Sequence, residues 1–395
     1  MQYRKDRQGR ELSVLGFGCM RFPRRGGGID MEKTGEAVRE AIRLGINYFD
    51  TAYIYPGSEA ALGEILEKDH LRDQVYIATK LPGYLIQRAE KMETYFQEQL
   101  RRLRTDHIDY YLMHMLTDVK SWEKLCDMGI ADWIREKKAS GAIRQIGFSF
   151  HGDTDRFLEI LQAYDWDFCQ IQYNYMDEHT QAGRRGLEAA EARGIPVIIM
   201  EPLRGGKLVQ LLPAEAREKI AACPDPTTPP ALAFGWLWDQ TGVTCVLSGM
   251  NTLSMVQENC AMAARAVPGC MTEAQHATVE AVREILRRKI LVGCTGCRYC
   301  MPCPQGVDIP GIFQCYNLKK TESLWNARHE FFQTIALRER LSTPDRCVGC
   351  HACEKKCPQH LPIVEKLQAA QKTLMPVHYR IAIHVARRWL FHRKA

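Results

Sequence analysis

Phe49-Asp50-Thr51-Ala52-Tyr53-Ile54-Tyr55, Tyr76-Ile77-Ala78-Thr79-Lys80 and Ile108-Asp109-Tyr110-Tyr111-Leu112-Met113-His114 share one design. Each carries a short run rich in aromatic or β-branched residues, and each has an ionisable residue where that run ends. Runs this short read as strands rather than helices. With their leading residues the three strands are Ile46–Asp50, Val75–Thr79 and Ile108–Met113. Five more runs follow the same rule: Val14–Gly18, Gln145–Phe148, Phe168–Ile171, Val197–Met200 and Thr244–Leu247. Segments of helical period lie between them. In Glu32–Leu44 the apolar residues Ala37, Val38, Ala41 and Ile42 recur at helical steps, and Tyr95–Leu103, Trp122–Ala139, Asp155–Ala163, Gly183–Arg193 and Ser254–Ala264 behave alike. Eight strand–helix units predict an α/β chain closed into a (β/α)8 TIM barrel over residues 1–270. Tyr3–Val14, centred on Gln8-Gly9, reads as a hairpin plugging the barrel's bottom. Cys223-Pro-Asp-Pro-Thr-Thr-Pro-Pro reads as a turn-rich loop before a helix over Ala231–Asp239.

In such barrels the catalytic side chains sit at the C-terminal ends of strands. Those ends supply Asp50, Lys80 and His114, with Tyr55 five residues past Asp50. Gathered at one mouth, the four form a proton donor for a carbonyl. A phenol titrates near ~10 and is a poor acid at neutral pH. A neighbouring ammonium lowers that value. Asp50 then holds Lys80, and His114 donates a hydrogen bond that orients the carbonyl oxygen.

A different chemistry lies near the C-terminus. Cys294, Cys297, Cys300 and Cys303 precede Pro304, and Cys347, Cys350, Cys353 and Cys357 precede Pro358. The second group reads C-x2-C-x2-C-x3-C-P, the spacing of bacterial ferredoxins, and the first is one residue tighter at its last step. Zinc ribbons and disulfides are the alternatives, but zinc sites favour two C-x2-C pairs. The spacing therefore predicts two [4Fe–4S] clusters. In two-cluster proteins of this kind the fourth cysteine crosses to the other cluster. That gives one set of Cys294, Cys297, Cys300 and Cys357, and another of Cys347, Cys350, Cys353 and Cys303. A helical connector over Met271–Lys289 leads into this region. Ile309–Leu341 reads as helical, with Phe313, Tyr316, Leu324, Trp325, Phe331 and Phe332 as core candidates. Residues 271–365 form the expected ferredoxin-like α-helical domain, stapled by its clusters.

Bulk properties agree with a soluble globular chain: 46% hydrophobic and 25% charged residues are enough to bury a large core. The net charge of +6 misleads, because residues 366–395 carry seven Lys or Arg and no acid. The body is near neutral, so nucleic acid is not an expected partner. The basic tail also carries Ile381, Ile383, Val385, Trp389, Leu390 and Phe391 among Arg387, Arg388, Arg393 and Lys394. An amphipathic helix on a membrane surface or a redox partner protein is one reading, and a packed or frayed terminus is the other. Eight further cysteines without spacing indicate free thiols and a cytoplasmic location. No apolar signal segment and no run of 18 apolar residues is visible. No repeat of solenoid period is visible either.

The strand-end constellation over about residues 1–265 resembles the aldo–keto reductase superfamily. With the cysteine region attached, the chain resembles its iron–sulfur branch. Gly-Phe-Ser-Phe-His at 147–151, Gln-Ile-Gln-Tyr-Asn at 170–174 and Met-Glu-Pro-Leu-Arg-Gly-Gly at 200–206 are similar to that branch's strand-end motifs. The resemblance implies a carbonyl or alcohol substrate and an NAD(H) or NADP(H) cofactor across the mouth. Ser149 and Gln170 would hold the carboxamide, and Leu203, Arg204, Gly205 and Gly206 would line the pyrophosphate. Glu258 and Asn259 would meet the adenine end. The chain departs from the family in three places. Met200 stands where an aromatic stacks on the nicotinamide, and Gly249 and Met255 stand where cations bind the 2′-phosphate, which favours NADH. The usual C-terminal pocket loop is replaced by the cluster domain. Gly16-Phe-Gly18 lacks the third glycine and the βαβ context of a Rossmann turn. Hydride moves two electrons and a cluster moves one, so coupling them calls for a converter such as FMN, unless the clusters are mainly structural. The alternatives to a nicotinamide reductase are an iron–sulfur flavoenzyme on the same barrel and a non-catalytic redox or electron-transfer module, against which the intact tetrad argues. The substrate itself is set by pocket loops that the strand ends do not reveal.

Overall fold

A computed structural model describes residues 1–391 apart from Asp153, Glu322, Arg338 and Glu339, and excludes the side chains of residue 333 and of residues 388–391. The expected contributions of Arg388, Trp389, Leu390, Phe391, Arg393 and Lys394 therefore lie outside the described residues. Among the described residues twelve strands run in chain order: β1 Tyr3–Lys5, β2 Glu11–Ser13, β3 Leu15–Gly18, β4 Arg24–Arg25, β5 Gly28–Ile29, β6 Tyr48–Asp50, β7 Tyr76–Leu81, β8 Ile108–Leu116, β9 Ile143–Phe150, β10 Phe168–Gln172, β11 Val197–Met200 and β12 Val243–Ser248. Eight of them, β3 and β6 to β12, pair in parallel and close into a barrel, the seam lying between β12 and β3. Sequential parallel pairing with helical crossovers is the (β/α)8 architecture.

The strands read as apolar runs because both faces are covered. The interior is filled by Tyr48, Ala78, Tyr110, Leu112, Phe168, Ile198, Cys245 and Leu247 with Leu12 of the hairpin. Gly16 belongs to this packing: a Cβ there would come 2.8 Å from Leu247 Cδ2 and 2.9 Å from Cys245 Sγ. Its glycine serves close approach inside the barrel. β1 and β2 form the N-terminal hairpin, with Tyr3 opposite Ser13 and Gly9 at φ +82° in the turn. Asp6 in that turn accepts from Tyr110 Oη at 2.6 Å and from Gln145 Nε2, both near the starts of their strands. The hairpin thus closes the end of the barrel opposite the strand termini.

Two helical expectations change. The segment over Trp122–Ala139 is two helices, Val119–Asp127 and Ile130–Ala139, broken at Gly129 with φ +85°. The stretch over Ile309–Leu341 divides into helices Ile309–Thr321 and Leu324–Phe331 followed by a π turn, Phe332–Ala336. Phe313 and Phe331 are buried in its core, while Leu324 and Trp325 are exposed, Trp325 by 66%. Trp325 instead stacks on His329 one turn along, with ring centroids 4.9 Å apart.

The chain forms two compact units. One comprises Met1–Pro202 and Pro230–His276, the other Leu203–Pro229 and Ala277–Ala395. The second therefore includes the segment that follows β11 as well as the cysteine region. Its core joins Val307, Ile312, Phe313, Phe331, Ile335, Ile363 and Leu367, with six of the eight grouped cysteines packed against it.

Candidate active site

The barrel mouth is built on strand ends. Asp50 ends β6, and Lys80 and His114 stand near the ends of β7 and β8; all three are at most 5% exposed, and Tyr55 on the loop after β6 is partly exposed. Lys80 Nζ donates to both Asp50 oxygens at 2.7 Å and to Thr51 O at 2.6 Å. The ammonium sits 5.3 Å from the Tyr55 ring centroid, and the Tyr55 and His114 rings meet edge to face at 6.3 Å. A bulge aims His114: the β8–β9 register shifts between Met113 and Leu116, and Met115 takes φ +61°. Met115 N then donates to Ser149 Oγ at 2.9 Å, tying the end of β8 to the end of β9.

Lys80 is backed by a buried network. Thr79 Oγ1 and Gln99 Nε2 both donate to Glu59 Oε1, at 2.6 and 2.8 Å, and Gln99 Nε2 also reaches Lys80 O at 3.2 Å. Tyr111 Oη and Arg102 complete it through Gln99 and Glu59. The alternate residues of β7 thus serve two ends: Lys80 faces the mouth and Thr79 anchors the strand outward.

The electrostatics differ from the simple expectation for Tyr55. Burial, then the Asp50 carboxylate, pushes its phenol up from the ordinary value. The Lys80 charge does not offset this, because Asp50 and Thr51 O already engage it. His114 is pushed well below its ordinary value, first by burial and then by Lys80 and His151. Its ring is neutral at neutral pH, and Nδ1 has no partner among the described residues. His151, at the end of β9, is pushed down to about 4 by burial, against a hydrogen bond of Nδ1 with Gln181 Oε1 at 3.2 Å.

Lys80→Met would leave Asp50 buried beside Gln170 Nε2, its remaining hydrogen-bond donor at 2.9 Å. Breaking a buried pair from one side costs about 3–5 kcal/mol. Urea unfolding should show a loss of that size, with the double variant Lys80→Met/Asp50→Asn recovering part of it. His151 yields a pH prediction. Its folded value lies below its unfolded one, so its stabilising contribution is present above about 6.5 and is lost as pH falls toward 4. Between pH 7 and 4.5, His151→Gln should lose about 2–3 kcal/mol less stability than the parent chain.

Of the expected cofactor residues, Ser149 lies buried near the end of β9, and Gln170, buried in the middle of β10, stands beside it in register. Gln170 Nε2 donates to Asp50 Oδ2 while Gln170 Oε1 is buried without a partner among the described residues. Asn259 is buried and donates to Ser248 Oγ at 3.1 Å, and Glu258 beside it is exposed. Leu203, Arg204, Gly205 and Gly206 fall in the second unit, apart from the tetrad's unit. Three of them take positive φ in succession: Arg204 +47°, Gly205 +70° and Gly206 +93°. Tyr84, 51% exposed, was missed: its ring lies 6.4 Å from His114. Nothing in the sequence marks it beyond an aromatic four residues after Lys80.

The cysteine groups repeat one backbone pattern. In Cys294–Arg298 the third residue, Gly296, has φ +78° and Arg298 has φ +67°; in Cys347–His351 Gly349 has +70° and His351 has +55°. Each group ends in Cys-Pro-Gln followed by a left-handed residue, Gly306 at +75° and His360 at +48°. The Gly306 and His360 amides close these turns on Cys303 O at 2.8 Å and Cys357 O at 3.0 Å. No cysteine forms a disulfide among the described residues. Burial pushes the Cys300 thiol up to about 12, and its neighbouring thiols are Cys294, Cys297, Cys357 and Cys353. No three His, Cys, Asp or Glu among the described residues stand close enough to share one metal ion. A cubane spreads its four thiolates wider than one ion does.

Comparison with known proteins agrees with these two units of chemistry. Residues 293–361 match the 4Fe-4S dicluster domain model. The NADH-specific methylglyoxal reductase of Escherichia coli (strain K12) is 27% identical over 297 residues, 63% of this chain and 89% of that protein. L-galactose dehydrogenase of Arabidopsis thaliana is 26% identical over 298 residues, 70% and 92% of the two chains. The holo form of an aldo-keto reductase from Bacillus halodurans superposes with a TM-score of 0.59 at 25% identity, covering 71% of this chain and 96% of that one. With residues 14–284 matched by the aldo/keto reductase family model, the chain belongs to that family, an oxidoreductase carrying a C-terminal 4Fe-4S domain.

Proposed function

We propose that the barrel reduces a small carbonyl compound to its alcohol, and oxidises the alcohol in reverse, with a nicotinamide cofactor at the mouth. The observation that carries this reading is the buried Asp50–Lys80 pair set beneath Tyr55 and a neutral His114. A bound reduced nicotinamide supplies hydride to the carbonyl carbon. Tyr55 supplies the proton to the oxygen, and His114 orients that oxygen. The residues fit the cofactor in one respect above all: Gln170 Oε1 is a buried acceptor without a partner among the described residues, matched to a carboxamide N–H. The similarity to an NADH-specific reductase points toward NADH. Arg21, however, lies against Gly249, where a Cβ would be 3.1 Å from Arg21 Cδ, so the stem of a basic side chain from another segment passes the bare clamp position. Both nicotinamides are therefore to be compared.

In the same reading the cysteines hold two [4Fe–4S] clusters, which relay single electrons to or from a redox partner. An FMN at the mouth would serve as converter in a second version of the scheme, favoured by Met200 at the stacking position. Functional boundaries at 1–270, 271–365 and 366–395 and a cytoplasmic setting complete the proposal. No helix among the described residues is long and apolar enough to cross a membrane. The helix Val377–Phe391 exposes Val377, Ile381 and Val385 at four-residue steps, flanked by Arg380. This face suits a peripheral anionic lipid surface, and truncation after Pro376, which spares the core helix Ile363–Leu374, should abolish co-sedimentation with anionic liposomes. Anaerobic purification with iron analysis and a visible spectrum, followed by NADH or NADPH addition, tests the whole. About eight irons per chain are expected from two cubanes. Two or fewer would refute the clusters, and flavin bands would favour the second version.

A further inference from the structure

The two cysteine turns share a backbone, yet their surroundings differ. Around the first turn, two cations arrive from the segment that follows β11. Arg204, 6% exposed, donates through Nη2 to Gly293 O at 3.1 Å. Lys207 donates through Nζ to Cys294 O at 2.9 Å. A Cβ on Gly296 would lie 3.5 Å from Lys207 Nζ, so the ammonium also covers the glycine at the centre of the turn. At the matching place in the second turn, a Cβ on Gly349 would lie 4.0 Å from Val364 Cγ1, and Cys350 is exposed. The basic residues near that turn, Arg346, His351, Lys355 and Lys356, are exposed. His351 moreover pairs with Glu354 at 2.6 Å.

Cluster potential follows net charge, hydrogen bonding and solvent exposure. Reduction adds one negative charge, which a nearby cation stabilises. A buried or half-buried cation acts at lower effective dielectric than an exposed, screened one. We propose that Lys207 and Arg204 make the two clusters inequivalent: they raise the potential of the cluster on the Cys294 turn, so that it is reduced before its twin on the Cys347 turn. This rests on the two-cluster reading above. It adds a direction. Electrons entering the domain come to rest on the cluster beside the segment that leaves β11, and the residues that decide this come from the barrel's connecting loop rather than from the cysteine motifs. Lys207 and Arg204 act here as positioning and tuning residues.

The test is an EPR-monitored redox titration of the anaerobic full-length protein and of Lys207→Gln and Lys207→Arg. Gln keeps a donor for Cys294 O and removes the charge, whereas Arg keeps the charge. In Lys207→Gln the higher-potential centre should become about tenfold harder to reduce (~59 mV for one electron), and the other centre should stay in place. Lys207→Arg should match the parent. Arg204→Gln, as a second variant, should move the same centre in the same direction. Unchanged midpoints in both Gln variants, or equal shifts in both centres, would overturn the proposal with the clusters intact. A parent chain lacking iron and the cluster signal would overturn the two-cluster reading and this inference with it.

Discussion

Tyr55→Phe is expected to lower kcat for carbonyl reduction by about 10²–10⁴, the usual contribution of a positioned general acid. Burial and Asp50 keep the phenol protonated at neutral pH, so the hydroxyl is loaded with the proton the reaction needs. It is reluctant to release that proton to water. It releases it when the carbonyl carbon gains hydride and the oxygen becomes an alkoxide, a far stronger base than phenolate. Lys80, 5.3 Å from the ring, then faces a phenolate whose charge it can share with Asp50. His114 cannot substitute, because its ring is neutral and its low basicity disfavours carrying a proton in either direction. The substitution removes one oxygen from a partly exposed side chain, so stability should change by no more than about 0.5 kcal/mol. Steady-state rates with a panel of small aldehydes, beside urea curves, separate chemistry from folding. Full activity in the variant would remove Tyr55 as the acid.

What the sequence made legible follows from which interactions are local. Eight buried strands announce themselves because a parallel strand covered on both faces must be apolar, and each ends where a charge is tolerated at a rim. Asp50, Lys80 and His114 are therefore readable as strand-end residues. Their coupling is only partly readable. That Lys80 would be engaged by Asp50 and Thr51 O, leaving Tyr55 shifted upward, depends on distances that no spacing encodes. Gly129 splitting a helix could have been weighed from its type alone, since a glycine between two periodic segments is a common break. The exposure of Trp325 could not, because an aromatic at helical spacing is ordinarily core. The doubled turn of Cys294–Gly306 and Cys347–His360 was written in the letters as Cys-x-Gly-Cys and Cys-Pro-Gln, a repeat too short for a search at solenoid period. The contacts of Arg204 and Lys207 stayed hidden because their partners, Gly293 and Cys294, lie almost ninety residues away and are engaged through backbone oxygens.

Cys357→Ser should cost one cluster and leave the other, taking iron from about eight to about four per chain. Cys357 belongs by sequence to the second group, yet it is among the thiols beside Cys300 and Cys294 of the first. The turns at Pro304 and Pro358 carry the chain away after each last cysteine, into helices Ile309–Thr321 and Ile363–Leu374 that pack in one core. A crossed arrangement binds each half of the repeat to the other half's helix. Loss of either cluster then weakens the whole region rather than one loop, as expected where ligand binding and folding are coupled. Cys303→Ser should remove the other cluster. Because Lys207 sits on the Cys294 turn, the centre missing from Cys357→Ser should be the one with the higher potential, and the centre missing from Cys303→Ser the one with the lower. Helical circular dichroism should fall in both variants while the barrel's unfolding transition persists. If Cys357→Ser instead erases the lower-potential centre, each group fills its own cluster and the crossing is wrong.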